Sequence, residues 1–174
     1  VDLLGRAYNI LETQLSAGNL TPNEAGTVGT RMALINLFNN QPEKAVAILD
    51  KTESDRLTPT IIAHRRIIRA KALSALGRPQ EALDLLKEDY SRNGILVKTE
   101  IFWNNRQWGD AADSIKYLIE KPQKGRPLTN EQIQLILEWA TALKKAGRET
   151  VIVRLRNTFK PYFQNTPYIS IFNV

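Results

Sequence analysis

The residues whose type and spacing could best bind a ligand are three arginines, Arg65, Arg66 and Arg69. Guanidinium groups bind carboxylates and phosphates through paired N–H donors, so this cluster could contact an anion or an acidic peptide. On a helical wheel, however, the arginines lie on the same side as Ile62 and Leu73, where packing favours apolar residues. A second interpretation is therefore that their stems pack between helices while the guanidinium groups reach carboxylates or carbonyls of a neighbouring helix. The sequence leaves both interpretations open.

Residues for catalysis or metal binding are not indicated by the sequence. It has no cysteine and one histidine, His64, which excludes thiolate chemistry and histidine-rich metal sites. A Ser-His-Asp triad would need His64, but that residue stands beside two arginines near a predicted helix start, with no nucleophile turn nearby. The glycines match no phosphate-loop pattern, and carboxylate pairs such as Asp110 and Asp113 are spaced as at helix ends. We therefore predict a protein that is not an enzyme and has no catalytic residue, metal site or cofactor.

The elements that must position the arginines are predicted to be helix hairpins, of which residues 71–86 give the clearest example. Leu73 and Leu76 end one helix, and Gly77 suits a left-handed C-cap. Pro79 suits the first turn of the next helix. Because the connection is so short, the two helices must pack antiparallel, and Ala82 marks where their backbones could come closest.

This hairpin resembles the tetratricopeptide repeat (TPR) family at Ala70, Leu73, Ala82 and Leu86. In that family a small residue of the first helix and an alanine of the second pack together, with larger apolar residues beside them. The resemblance implies an all-α fold, a right-handed superhelical stack of antiparallel helix hairpins. We expect about nine helices.

The hairpin recurs along the chain. The predicted helix starts at Thr21 and Thr58 are 37 residues apart, and so are Ala45 and Ala82, which is typical of a repeat. The next close-contact alanine, Ala111, follows after only 29 residues, so the third hairpin should have a shorter first helix. We predict one domain over residues 1–174, with a helix at 2–17, hairpins at about 21–51, 58–90, 93–120 and 129–159, and a capping tail at 160–174.

In TPR proteins the first helices of successive hairpins line a concave groove that receives an extended peptide or a partner helix. The resemblance therefore implies a partner-binding groove at the matching positions. These are Leu34, Leu37, Ile67, Lys71, Ser74, Leu96, Glu100, Trp103, Leu137, Thr141 and Lys144. The Lys and Asn pattern with which some family members hold a carboxyl terminus is absent. Its positions are occupied by Thr27, Thr30, His64 and Ile68.

The net charge of +6 is unevenly distributed. Residues 1–60 contain five Lys or Arg and seven acids, whereas residues 61–174 contain nineteen and eleven. The basic C-terminal two-thirds could bind nucleic acid or an acidic partner, although solubility also explains such a charge. The leading prediction is a protein-protein interaction scaffold, with nucleic-acid or acidic-partner binding as the alternative. A regulatory domain of an enzyme encoded in a longer chain is the third hypothesis.

The sequence has no apolar run of about eighteen residues and no signal-peptide pattern, so we predict no membrane span. The lack of cysteine suits a soluble protein of either the bacterial cytoplasm or the periplasm. The chain begins at Val1 without Met, and we expect it to be part of a larger bacterial protein or assembly.

Overall fold

The computed structural model describes residues 3–120, 122–123, 126–164 and 166–172. Within these ranges the chain forms nine α-helices and one 3-10 helix, and no β-strand. The prediction of an all-α fold with about nine helices is confirmed. The helices are α1 (Leu3–Ser16), α2 (Pro22–Phe38), α3 (Pro42–Lys51), α4 (Pro59–Ala75), α5 (Pro79–Leu85), α6 (Arg92–Asn104), α7 (Trp108–Leu118), α8 (Asn130–Lys145), α9 (Glu149–Phe163) and the 3-10 helix η1 (Ile169–Phe172).

Each of the four hairpins turns through a three-residue connection with its central residue in the left-handed region. These central residues are Asn40, Gly77, Arg106 and Gly147, with φ from 55° to 73°. In each turn the central amide donates to the carbonyl three positions earlier, and the next amide donates to the carbonyl five positions earlier. This Schellman arrangement satisfies the last carbonyls of the first helix. The four turns therefore have the same backbone construction.

The close-contact alanines follow these turns at a constant distance. Ala45, Ala82 and Ala111 each lie five residues after the left-handed residue, and each is fully buried. Ile152 is the equivalent residue in the last hairpin and is half-buried. The 37-residue spacing of the first two alanines thus corresponds to a repeated hairpin geometry. As predicted, α6 is about one turn shorter than α2 and α4, with thirteen residues against seventeen.

Arg106 places a bulky side chain where the backbone favours glycine, because a Cβ crowds the following carbonyl at positive φ. We expect Arg106→Gly to raise the free energy of unfolding by about 1 kcal/mol. The reverse change at the equivalent turn, Gly77→Arg, should lower it by a similar amount. Urea unfolding followed by circular dichroism measures both, and unchanged stability in the two variants would contradict this explanation of the turn.

Hydroxyl side chains cap three of the hairpins' first helices. Thr21 and Thr129 form capping boxes with Glu24 and Gln132. Ser91 caps α6. The side-chain hydrogen bond from Thr21 lowers the pKa of Glu24. Because folding lowers this pKa, the cap stabilises the folded chain at pH values above the ordinary glutamate pKa. That stabilisation is lost as the pH falls through the lowered value.

The chain divides into two compact units, Val1–Asp89 and Tyr90–Val174, called unit 1 and unit 2. In unit 1, α4 packs against both α2 and α3, and α1 packs against α2. In unit 2, α6 and α8 both pack against α7, and α9 packs against α8 and η1. Each unit has its own apolar core. The single domain over residues 1–174 and the right-handed superhelical stack remain predictions.

Two helix ends differ from the predicted boundaries. The last helix is predicted to end at 159, but α9 continues to Phe163 with Pro161 inside it. Phe163 is fully buried in the core of unit 2, and this burial offsets the helical hydrogen bond that proline cannot make. The second hairpin is predicted to reach residue 90, but α5 ends at Leu85. The amides of Leu86 and Lys87 bond three residues back, which tightens the chain into turns.

Candidate functional site

Arg65 of α4 lies buried against both helices of the preceding hairpin, with a side chain only 4% exposed. Its Nη1 donates to the Gly26 carbonyl of α2 at 3.0 Å and to Thr52 Oγ1 at 3.1 Å. Its Nη2 donates to the Leu49 carbonyl of α3 and, at 3.2 Å, to Glu53 Oε2. The carbonyls at the C-terminal end of a helix favour a nearby cation. Arg65 therefore ties α4 to α2 and α3.

The other two arginines also have acceptors within unit 1. Arg66 Nη2 lies 3.1 Å from Oδ2 of the buried Asp89. Arg69 Nη1 lies 2.6 Å from Asp50 Oδ1, and its Nη2 lies 3.7 Å from a Glu53 oxygen. These contacts match the packing interpretation of the cluster. The contacts thus support packing as the role of these arginines, and an anion contact stays a prediction from the sequence.

Two glycines of α2 permit the close packing around Arg65. A Cβ at Gly29 would lie 2.0 Å from Thr52 Oγ1, and one at Gly26 would lie 2.5 Å from Leu57 Cδ2. Close-packed interiors leave no room for such contacts. From the sequence alone, Gly26 and Gly29 match no phosphate-loop pattern, and their packing role was not predicted. The signal was their i, i+3 spacing inside a predicted helix, which places both on one face.

The predicted groove residues of unit 1 lie partly on a shared surface. Leu34 of α2 is 39% exposed, and Lys71 of α4 is also exposed. Ile67 and Ser74 are half-buried on α4. Leu37 is half-buried and packs against the core of unit 1.

Phe38, a residue that sequence reasoning missed, is 69% exposed one turn beyond Leu34. Helical spacing places Thr27 and Arg31 on the same side of α2. His64, Ile67 and Lys71, which share one side of α4, complete the surface. We define the α2–α4 face as Thr27, Arg31, Leu34, Phe38, His64, Ile67 and Lys71.

The predicted groove residues of unit 2 that lie on α6 differ in exposure. Leu96 is 38% exposed and Glu100 is exposed. Trp103 is half-buried and meets Trp108 edge to face, with ring centroids 5.3 Å apart. Lys145 lies over the Trp108 ring. The indole of Trp103 is therefore already part of an internal aromatic contact.

The remaining predicted residues lie on α8. Leu137 packs half-buried against the core of unit 2. Thr141 is exposed, and its hydroxyl donates to the Leu137 carbonyl of its own helix at 2.8 Å. Lys144 is exposed. The structure thus brings the unit 1 residues together on two helices in direct contact, whereas the unit 2 residues lie on helices that share α7 as a neighbour.

An open cleft of ≈ 630 Å³ adjoins the α2–α4 face in unit 1. Its walls come from α1, with Thr13, Gln14 and Ala17, and from α2, with Thr27 and Arg31. Two residues of the α2–α4 face therefore also line this cleft. The combined surface extends from α1 across α2 to α4.

In the described part of the chain, no group of three or more His, Cys, Asp or Glu side chains could hold a metal ion. His64 is exposed. Among the described helices, none combines the length and apolar content needed to cross a membrane.

The fold defines an all-α protein of repeated helix hairpins. Comparison of the chain with known protein families, curated protein sequences and solved structures finds no match.

Proposed function

We propose that this chain is a non-catalytic, TPR-like interaction module, part of a larger bacterial protein or assembly, that binds a peptide or partner helix on the α2–α4 face. The main support is that Leu34 and Phe38 are exposed one turn apart on a helix whose other large aliphatic side chains are buried or half-buried. Adjacent exposed apolar side chains beside a cleft are typical of interaction sites. The four equivalent turns and three buried alanines support the resemblance to TPR hairpins.

The combined change Leu34→Ser and Phe38→Ser should weaken partner binding by about tenfold or more, because it removes two apolar anchors. Partner capture from the native host by the immobilised full chain measures this. Ile62→Ser is the matched control, since Ile62 is 47% exposed on α4 but lies outside the face. Equal capture by the double variant and the wild type would contradict the proposed surface.

Nucleic-acid binding is the rival proposal, and the distribution of charge between the units favours it. Unit 1 contains eleven Lys or Arg and eleven acids, whereas unit 2 contains thirteen and seven. Binding through unit 2 should weaken steeply with added salt, because Lys and Arg release condensed counterions. Oligonucleotide binding with that salt dependence, unaffected by the Leu34 and Phe38 changes, would favour the rival.

A further inference from the structure

The α2–α4 face has α2 as its floor and two helices beside it. Val28, on one side of α2, packs in a core that α1 completes with Tyr8 and Leu11. On the other side, the Gly26 carbonyl accepts a hydrogen bond from Arg65 of α4. The exposed strip of α2 therefore runs between α1 and α4.

The dimensions of this floor suit a short helix. From Thr27 to Phe38 the strip rises about 16 Å along α2, which corresponds to about three helical turns. Leu34 and Phe38 are spaced i, i+4, as are the anchors of a helix that packs along another helix. An amphipathic helix of about three turns could cover both side chains.

The strip contains one exposed arginine, Arg31. Glu24, at the start of α2, is held by its cap partner Thr21. Arg31 makes no ion pair with any residue in the described part of the chain. The other arginines of α4 are bonded to carboxylates of unit 1, as described above. Arg31 therefore offers a positive charge to a negatively charged partner, within a unit that has no net charge.

We propose that the α2–α4 face binds an amphipathic helix whose apolar stripe is bordered by carboxylates, with Arg31 contacting one of them. This inference rests on the proposed function and specifies the partner. The apolar stripe covers Leu34 and Phe38. The flanking Glu or Asp side chains attract Arg31, which favours this helix over a basic one.

The experiment measures fluorescence anisotropy of two labelled synthetic helices with the full chain. Both helices have the same apolar stripe, and the flanking positions carry Glu in one and Lys in the other. We expect the Glu helix to bind about tenfold or more tightly than the Lys helix, since like charges at an interface are repelled. Arg31→Glu should weaken binding of the Glu helix by about tenfold and should strengthen binding of the Lys helix.

Two further variants keep the result interpretable. Arg31→Gln removes the charge without reversing it and should give an intermediate loss, and circular dichroism checks that each variant folds. Arg154→Glu changes an exposed arginine of α9 in unit 2 and should leave binding unchanged.

Equal binding of the two helices, with no effect of Arg31→Glu, would overturn the charged partner. The proposed function would survive that result if binding still depended on Leu34 and Phe38. If neither helix bound, while capture of a native partner still required Leu34 and Phe38, the amphipathic helix would be the wrong occupant. If that capture also failed to depend on the two residues, both proposals would fall.

Discussion

Replacing Arg65 with methionine should lower the free energy of unfolding by about 2–3 kcal/mol. The change removes the charged donor to the Gly26 and Leu49 carbonyls and to the Thr52 hydroxyl oxygen. The Gly26 carbonyl keeps the Thr30 hydroxyl and the Leu49 carbonyl keeps the Thr52 amide, so the cost is the loss of several buried, charge-assisted hydrogen bonds that the uncharged side chain cannot replace. The loss should appear as a lower urea midpoint with little change in slope, because the surface exposed on unfolding stays similar.

Arg69→Met is the matched control for this prediction. Arg69 is 25% exposed, and its partner Asp50 is 60% exposed, so solvent screens their ion pair. We expect a loss below about 1 kcal/mol. Similar losses in the two variants would show that neither the burial of Arg65 nor its bonds to backbone carbonyls adds to the free energy of unfolding.

Gly29→Ala should also destabilise the chain, by about 2–3 kcal/mol. At an exposed helical position the same change would stabilise by up to about 1 kcal/mol, because alanine is the better helix former. Here the new Cβ would overlap the buried Thr52 side chain, which must shift or force α2 away. Thermal and urea unfolding measure the sign as well as the size of the effect.

Gly109→Ala provides the comparison on α7. A Cβ at Gly109 would contact only the guanidinium group of Arg148, with the nearest atom at 3.1 Å. That group is the far end of a flexible side chain and can move aside, so we expect unchanged or slightly higher stability. If Gly29→Ala were equally neutral, the packing contact between α2 and Thr52 would be contradicted.

The sequence predicts the helices well because their ends are encoded locally. Thr21 followed by proline and Glu24 begins α2, and Gly77 followed by Pro79 separates α4 from α5. The end of α9 was predicted less well, because a proline stands at position 161 and the burial that overrides it depends on tertiary contacts. Local sequence patterns therefore predicted which segments are helical, whereas tertiary packing determined where α9 ends.

The candidate site was less predictable, since its determinants are far apart in sequence. Arg65 was placed correctly on a packing side of α4, but its acceptor in Gly26 lies 39 residues earlier. Matching positions to a family pattern placed Leu37 in the groove, and in the structure that side chain is half-buried against the core of unit 1. The same matching omitted Phe38, the last residue of α2, whose side chain is 69% exposed. Exposure at the end of a helix depends on neighbouring elements, and one sequence does not specify those.

The most direct test of the proposed interaction face is site-specific photo-crosslinking of the full chain in a lysate of its native host. A benzophenone side chain is placed at position 34, at position 38 or, as the control, at position 62. We predict covalent protein adducts from positions 34 and 38 and little or none from position 62. Equal adducts from all three positions, or adducts removed by nuclease and resistant to protease, would contradict the account.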